Sequence, residues 1–263
     1  MQELSIKKDK KVINGHQRHR EKIKEFISWL LVFHHSTDKI ILQSMGLRQQ
    51  GQQNFLRFLK QANLVRYLKV PHARQRLVML SPEGKRYALM LGDDLASKAM
   101  GYSTEPSKVA FSQLIHHLSV QKYVANLCGE EGGKIIKYMS TKTLDFAIDK
   151  GKKPDAVIEY ENGERVAIEI ELTRKPPARV IRGYCDNIKH FEAGYYKKVI
   201  YVFGSESLRD RYQLLLEQDE WAIHKMNDER RLVATGDVFD VVNYGKELIL
   251  DSFVLQYQPE LMG

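Results

Sequence analysis

Residues 153–175 read KPDAVIEYENGERVAIEIELTRK, and this stretch decides the predicted fold. Asp155 opens the predicted first strand, and Val157, Ile158 and Tyr160 continue it. Asn162-Gly163 supplies two residues that tolerate the positive φ of a two-residue hairpin turn. Every second residue from Val166 to Leu172 is apolar, which is the period of a strand with one face committed to a core. The stretch therefore predicts a β-hairpin.

The second strand of this hairpin carries acidic side chains on the face opposite its apolar one. Glu169 and Glu171 share that face, about 7 Å apart along the strand, and the hairpin brings Asp155 to the same end of the sheet. Three gathered carboxylates repel one another unless a hard cation lies between them, and oxygen ligands suit Mg²⁺ or Mn²⁺. The alternative is an amphipathic strand whose Glu side chains lie on a solvated face and have no further role.

Pro154-Asp155, Glu169-x-Glu171 and Lys175 together resemble the PD-(D/E)xK core of restriction endonucleases. The resemblance implies Asp155 and Glu169 as metal ligands, and Glu171 as a third ligand or as the group that orients the attacking water. The chain departs from the family at Glu171, where the motif usually has Lys. Lys175, just beyond the strand end, is the predicted replacement that stabilises charge in the transition state, with Arg174 as the alternative.

Composition restricts the partner and the compartment. The 263 residues suffice for two modest domains or one large one. Residues 1–100 hold 19 Lys and Arg against 8 Asp and Glu, whereas the remainder holds 22 against 25. This asymmetry favours a polyanion bound to the first third of the chain. Two distant cysteines fit a reducing cytoplasm, which the resemblance given below would make a bacterial one. No apolar run approaches the length of a membrane span, so we expect no membrane insertion.

The first third has a pattern of helix, helix, helix, hairpin and helix, which resembles a winged helix-turn-helix domain over residues 20–92, preceded by a basic arm at 1–19. The resemblance makes 49–62 the recognition helix, because amide and guanidinium side chains read base edges in the major groove. The basic hairpin that follows is the predicted wing. The expected DNA-binding residues of the two elements are Gln49, Gln50, Gln53, Arg57, Lys60, Lys69, Arg74 and Arg76. The alternative for each is a solvated polar side chain.

Residues 93–108 contain several Gly, Ser, Thr and Pro residues. This composition predicts a linker to a nuclease-like domain at 109–263. We expect an α/β fold, α+β overall, with a restriction-endonuclease-like mixed sheet flanked by helices. A helix at 178–193 with one basic face adds Arg179 and Arg182 as candidate DNA contacts. The candidate accessory residues are His117 and Gln121 on the helix at 109–127, and Tyr184, which would be a covalent nucleophile.

The order of these modules, with HHLSVQKYV (residues 116–124) before the hairpin and EIELTRK (169–175) ending it, resembles the replication-relaxation family. That family includes the restriction-like, MobC-type relaxases of mobilisable plasmids, of the MOBC class. The resemblance implies nicking of double-stranded plasmid DNA at an origin of transfer, in company with an accessory mobilisation protein and a coupling protein. Two alternatives stay open: a noncatalytic replication initiator or regulator with a degenerate nuclease fold, and a transposition or restriction endonuclease that makes double-strand breaks.

Overall fold

The computed structural model describes residues 14–70, 76–131, 134–146, 148, 151–229 and 231–262. Its first helices are α1 (Gly15–Phe33), α2 (Asp38–Ser44) and α3 (Gln53–Gln61). The antiparallel hairpin of β1 (Val65–Lys69) and β2 (Arg76–Leu80) follows, and α4 (Pro82–Leu89) comes next. This is the predicted order of elements, although its assignment as a winged helix stays a prediction.

Local sequence explains where these elements begin. The Thr37 hydroxyl accepts a hydrogen bond from the Ile40 backbone N–H and caps α2, and the Ser81 hydroxyl does the same for Gly84 at the start of α4. Two predicted boundaries are wrong. Residues 15–19 belong to α1 and not to a separate arm, and α3 begins at Gln53 and not at residue 49.

The predicted linker at 93–108 is wrong for its first half. Residues Asp93–Met100 form helix α5, and its Leu95 and Ala99 are buried in the same core as α1. Tyr102, just beyond the helix, is also buried, and its hydroxyl donates a hydrogen bond to the His34 carbonyl. This segment is therefore helical and packed despite its glycines and serines, because tertiary burial outweighs local turn propensity.

The second half of the chain builds a five-stranded mixed sheet. Helix α6 (Leu114–Glu130), which begins five residues later than predicted, precedes the strands. The elements that follow are β3 (Ile135–Ser140), β4 (Ala156–Tyr160), β5 (Arg165–Glu171), α7 (Pro177–Glu192) and β6 (Lys198–Phe203). Strands β3, β4 and β5 pair antiparallel, and β6 pairs parallel with β5. The expected mixed sheet flanked by helices is confirmed.

The turn between β4 and β5 differs from the two-residue prediction. The Tyr160 backbone N–H donates to the Glu164 carbonyl, so three residues, 161–163, connect the strands. Gly163 has φ 78°, a conformation that glycine adopts without steric cost. Among the described non-glycine residues only His34 and Asn63 have positive φ, so Asn162 does not share that conformation.

The end of the chain completes the sheet with elements that its sequence pattern did not predict in full. Helix α8 (Glu206–Leu216) leads to a second hairpin of β7 (Glu220–Met226) and β8 (Leu232–Asp240). Helix α9 (Val241–Ser252) and β9 (Phe253–Tyr257) follow, and β9 pairs parallel with β6. Strand β8 ends at Asp240, and helix α9 begins at the next residue.

Helices cover both faces of the sheet. The even-numbered residues of β5 from Val166 to Ile170 pack in one core with α1, α2 and α6, and Ala167 packs in a second core with α7 and α8. Trp29 of α1 is fully buried and donates from Nε1 to the Gln121 side chain of α6 at 3.1 Å. The first core thus runs without a break from the N-terminal helices to the sheet.

Candidate functional site

The acidic row on β5 is buried. Glu169 and Glu171 occupy alternate positions on the face that packs toward α7, and they are only 1% and 2% exposed. The wet face that an amphipathic strand would offer is therefore absent at these two positions. A buried carboxylate is costly unless it is paired, so each of these groups needs a compensating partner.

Asp155 lies immediately before β4, at the end of the same row. Its Oδ2 accepts a hydrogen bond from the Ile170 backbone N–H at 2.9 Å, and its Oδ1 lies 3.2 Å from His116 Nε2 on α6. Burial acts to raise the pKa of this carboxyl, but the His116 hydrogen bond and the Lys152 charge outweigh it and lower the pKa below its ordinary value. Asp155 is therefore charged near neutral pH.

Lys152 is a candidate functional residue that the sequence pattern did not indicate. Its Nζ contacts Glu169 Oε2 directly and lies 3.8 Å from Glu171 Oε1. Burial acts to lower its pKa, but the charges of Glu169, Asp155 and Glu171 raise the pKa above its ordinary value. An ammonium ion is thus held against the acidic row. The available sequence clue was the pair of lysines placed directly before Pro154-Asp155.

A glycine and an aspartate fix this lysine. Gly151 has φ 98°, and a Cβ there would lie 3.1 Å from the Asp186 Cγ on α7. The Asp186 Oδ2 accepts a hydrogen bond from the Lys152 backbone N–H at 3.0 Å. A side chain at position 151 would crowd Asp186 and would be strained at this φ, so glycine suits the close approach of the loop to α7.

Lys175, the predicted replacement for the motif lysine, reaches one acid of the row. Its Nζ lies 2.5 Å from Glu171 Oε1, although Lys175 stands beyond the end of β5. Arg174 is exposed and has no ion pair among the described residues. Two ammonium groups therefore compensate the row, with Lys152 at Glu169 and Lys175 at Glu171.

The acidic row contains one carboxyl that resists ionisation. Burial, the largest cause, raises the pKa of Glu169 to about 8; the Lys152 contact opposes this rise, and the Asp155 charge adds to it. Such a group gains most from a further positive charge, because the cation offsets both burial and like-charge repulsion. The oxygen donors of the row thus suit Mg²⁺ or Mn²⁺ in kind.

The arrangement of these donors does not yet form a metal centre. Within the described residues no three acidic, histidine or cysteine side chains lie close enough together to hold a metal ion. The Lys152 ammonium contacts Glu169 and lies 3.8 Å from Glu171. The predicted metal ligands therefore share one region but are not grouped around one point, and the metal itself stays a prediction. These ligands are Asp155, Glu169 and Glu171.

A basic groove borders the row on the α7 side. It encloses about 760 Å³, and Glu171 and Lys152 lie in its wall. Its other cationic lining residues are Lys175, Arg179, Arg182 and Arg231. The lining contains one aspartate, Asp186. Its Oδ2 lies 3.9 Å from Arg182 Nε, which is long for an ion pair. A groove of this charge favours an anionic ligand beside the acidic row.

The predicted DNA-reading residues lie on the N-terminal helices and hairpin. A concavity of about 540 Å³ between α2, α3 and the hairpin brings four of them together, namely Gln49, Arg57, Lys60 and Arg76. Gln50, Gln53 and Lys69 are exposed outside this lining. Gln49 and Gln50 precede α3, so they would present their amides from a turn. Arg74 lies outside the described residues.

The three candidate accessory residues have different surroundings. His117 and Gln121 line one cavity together, as their one-turn spacing predicts. Gln121 is buried, and its side chain joins Trp29 to the His35 carbonyl. Tyr184 is fully buried, and its hydroxyl donates to the Tyr212 carbonyl at 2.9 Å. The role of nucleophile suggested for Tyr184 is therefore wrong, because the hydroxyl is engaged inside the core.

Comparison of the chain with protein-family models, with curated proteins and with solved structures finds no match. The resemblance to the replication-relaxation family therefore rests on the motifs alone. Among the described residues, none of the helices combines the length and hydropathy needed to cross a bilayer.

Proposed function

We propose that the chain is a metal-dependent DNA endonuclease that nicks one strand of duplex DNA. The observation that carries this proposal is the acidic row, in which Glu169 and Glu171 are buried and Asp155 is partly buried. Two lysine ammonium groups contact this row, and Glu171 lines the basic groove. The choice of a plasmid origin of transfer as the target rests on the motif resemblance, and so do the accessory mobilisation and coupling proteins as partners.

The acids and the lysines would have different roles in such a reaction. To hold Mg²⁺ or Mn²⁺, Asp155, Glu169 and Glu171 would have to lie closer together than they do here; the ion would supply polarisation of a phosphoryl oxygen and a more acidic water molecule. Lys152 would face the scissile phosphate and stabilise the charge that develops on it, because its ammonium already lies against the acidic row. Lys175 would compensate the charge of Glu171 from the groove side.

The N-terminal surface would supply binding energy for duplex DNA. Arg57, Lys60 and Arg76 share one concavity with Gln49, which gives cations for phosphates and an amide for a base edge. The basic groove beside α7 would hold the strand to be cut, with Arg179 and Arg182 on its phosphates.

One observation favours the noncatalytic alternative. The Lys152 ammonium already compensates Glu169, and no three-ligand group is present in the part of the chain that the structure describes. A protein that had lost metal binding would keep its acids neutralised in this way. The second candidate is therefore a DNA-binding regulator with a degenerate nuclease fold.

Nicking of supercoiled DNA separates the two candidates. The purified protein is incubated with supercoiled DNA that carries the sequences flanking its own gene, with Mg²⁺, with Mn²⁺ or with a chelator. We expect open-circular product only with metal, and loss of product in Asp155→Asn and Glu169→Gln. Glu192→Gln, an exposed change on α7, serves as the matched control. Metal-independent binding without any nicking would support the regulator and refute the nuclease.

A further inference from the structure

A second cavity, of about 500 Å³, lies on the other side of Asp155. The turn between α1 and α2, helix α6 and the segment between β3 and β4 each contribute to its lining. The basic and imidazole side chains that line it are His34, His35, His116, His117, Lys142 and Lys153. Asp155 is its one carboxylate, and that group is already bound to His116 and to the Ile170 backbone.

His35 lines this cavity and has one buried polar atom without a partner in the described part of the chain. The residue is 6% exposed, and its Nε2 has no hydrogen-bond partner among the described residues. Its position is fixed, because the Gln121 side chain donates to the His35 carbonyl at 2.9 Å and the His117 ring lies 5.9 Å away. An unpaired buried nitrogen destabilises the folded state, and a hydrogen bond to it would remove that penalty.

The electrostatics of the cavity suit an anion. Burial first, and then the neighbouring imidazoles and Lys142, lower the pKa of His35 to about 4, and burial and Lys142 do the same for His34. Burial, His116 and Lys142 also lower the pKa of His117. Neutral imidazoles keep one N–H donor each, and the two lysines supply the positive charge.

The backbone turns sharply to present these histidines. His34 has φ 68°, which is unusual for a residue with a side chain, and its backbone N–H still donates to the Leu30 carbonyl at the end of α1. The Tyr102 hydroxyl donates to the His34 carbonyl at 2.6 Å, and the two rings stack at 5.0 Å. Tyr102 thus holds a conformation that brings consecutive histidines into the cavity wall.

We propose that this cavity is a phosphate-binding site, in which His35, His117 and Lys142 hold a backbone phosphate of bound DNA. Asp155 separates this phosphate from the one at the acidic row, so the two sites would hold different phosphates of one strand. The DNA source of the phosphate rests on the proposed function, whereas the oxyanion site itself does not. Because α1 and α6 both contribute to the site, it would join the DNA-binding helices to the sheet.

Titration of the full-length protein with inorganic phosphate tests the oxyanion site. The histidine ring signals are followed by NMR at constant ionic strength, with chloride as the matched anion. We expect saturable shifts for His35 and His117, no comparable shift for the exposed His16, and affinity about tenfold weaker in Lys142→Met. Lys189→Met, an exposed lysine on α7, should bind phosphate as the unaltered protein does. Unmoved His35 and His117 signals, or equal affinity in Lys142→Met, would overturn the site.

A second arm identifies the source of the phosphate. A duplex of about 20 base pairs is added in place of inorganic phosphate, and we expect the same two histidine signals to shift and inorganic phosphate to compete. If inorganic phosphate moves the signals and the duplex does not, a free phosphate compound is the ligand and the DNA assignment is wrong. Neither titration needs strand cleavage, so both results can be interpreted even if the acidic row has no nuclease activity.

Discussion

Replacing Glu169 by Gln should change how the stability of the metal-free protein depends on pH. The folded-state pKa of Glu169 is raised to about 8 from 4.5, so the folded protein keeps a proton that the unfolded chain releases. Between those values the folded state binds more protons, and the free energy of unfolding therefore falls as pH rises. Glu169→Gln removes this contribution, because the amide does not titrate.

The clearest window lies between pH 6.5 and 8. Below it, His34 and His35, with pKa values lowered to about 4 from 6.5, add stability as pH rises and oppose the effect of Glu169. Asp155 stays ionised across the window because its pKa is lowered from 3.8, and Lys152 stays charged because its pKa is raised from 10.5. Over about 1.5 pH units, at about 1.4 kcal/mol per unit, Glu169 should cost about 2 kcal/mol.

Chemical denaturation in a chelating buffer measures this cost. Unfolding free energies of the unaltered protein and of Glu169→Gln are compared at pH 6.5 and at pH 8, and we expect their difference to change by about 2 kcal/mol in favour of the variant. Glu192→Gln, exposed on α7, should show no such change. Parallel pH profiles for the unaltered protein and Glu169→Gln would refute the argument that burial and like charge keep this carboxyl protonated.

Three further predictions test the surroundings of the acidic row and the DNA surface. Lys152→Met should lower the nicking rate by about 10²-fold, as expected for a lost transition-state donor, whereas Lys189→Met should leave the rate unchanged in the same plasmid assay. Gly151→Ala should lower the melting temperature more than Gly163→Ala does. Both glycines have positive φ, but of the two only Gly151 has atoms within 4 Å of an added Cβ. Equal decreases in melting temperature would show that the close approach is unimportant. Arg76→Ala should reduce the slope of log affinity for duplex DNA against log salt by about 1, and an unchanged slope would remove Arg76 from the phosphate contacts.

The elements that sequence predicted well are those with a strong local period. The alternation from Val166 to Leu172 fixed β5, and the apolar run Lys198–Phe203 matches β6, which lies between β5 and β9. Helix α5 was missed because its flanking glycines and serines resemble a linker, and only burial against α1 stabilises it. Strand β9 was missed because its partner β6 is about fifty residues away in sequence.

The candidate site shows the same limit. Asp155, Glu169 and Glu171 follow from spacing within one hairpin, so sequence brings them together. Lys152 reaches the row only because Gly151 and Asp186 turn a loop toward β5, a contact made through space. His35 joins His117 through the packing of α2 against α6, which no local pattern indicates.

The core that runs from α1 to β5 joins the N-terminal helices and the sheet in one folding unit. Ile27 and Leu30 of α1 are fully buried with Ile158 and Ile168 of the sheet, so neither half retains a complete core when separated. A break in the exposed segment 105–107 should therefore give two fragments that fold only when mixed. A ligand bound at α3 then stabilises β5 as well, because binding to the folded state opposes every unfolding event that disrupts this core.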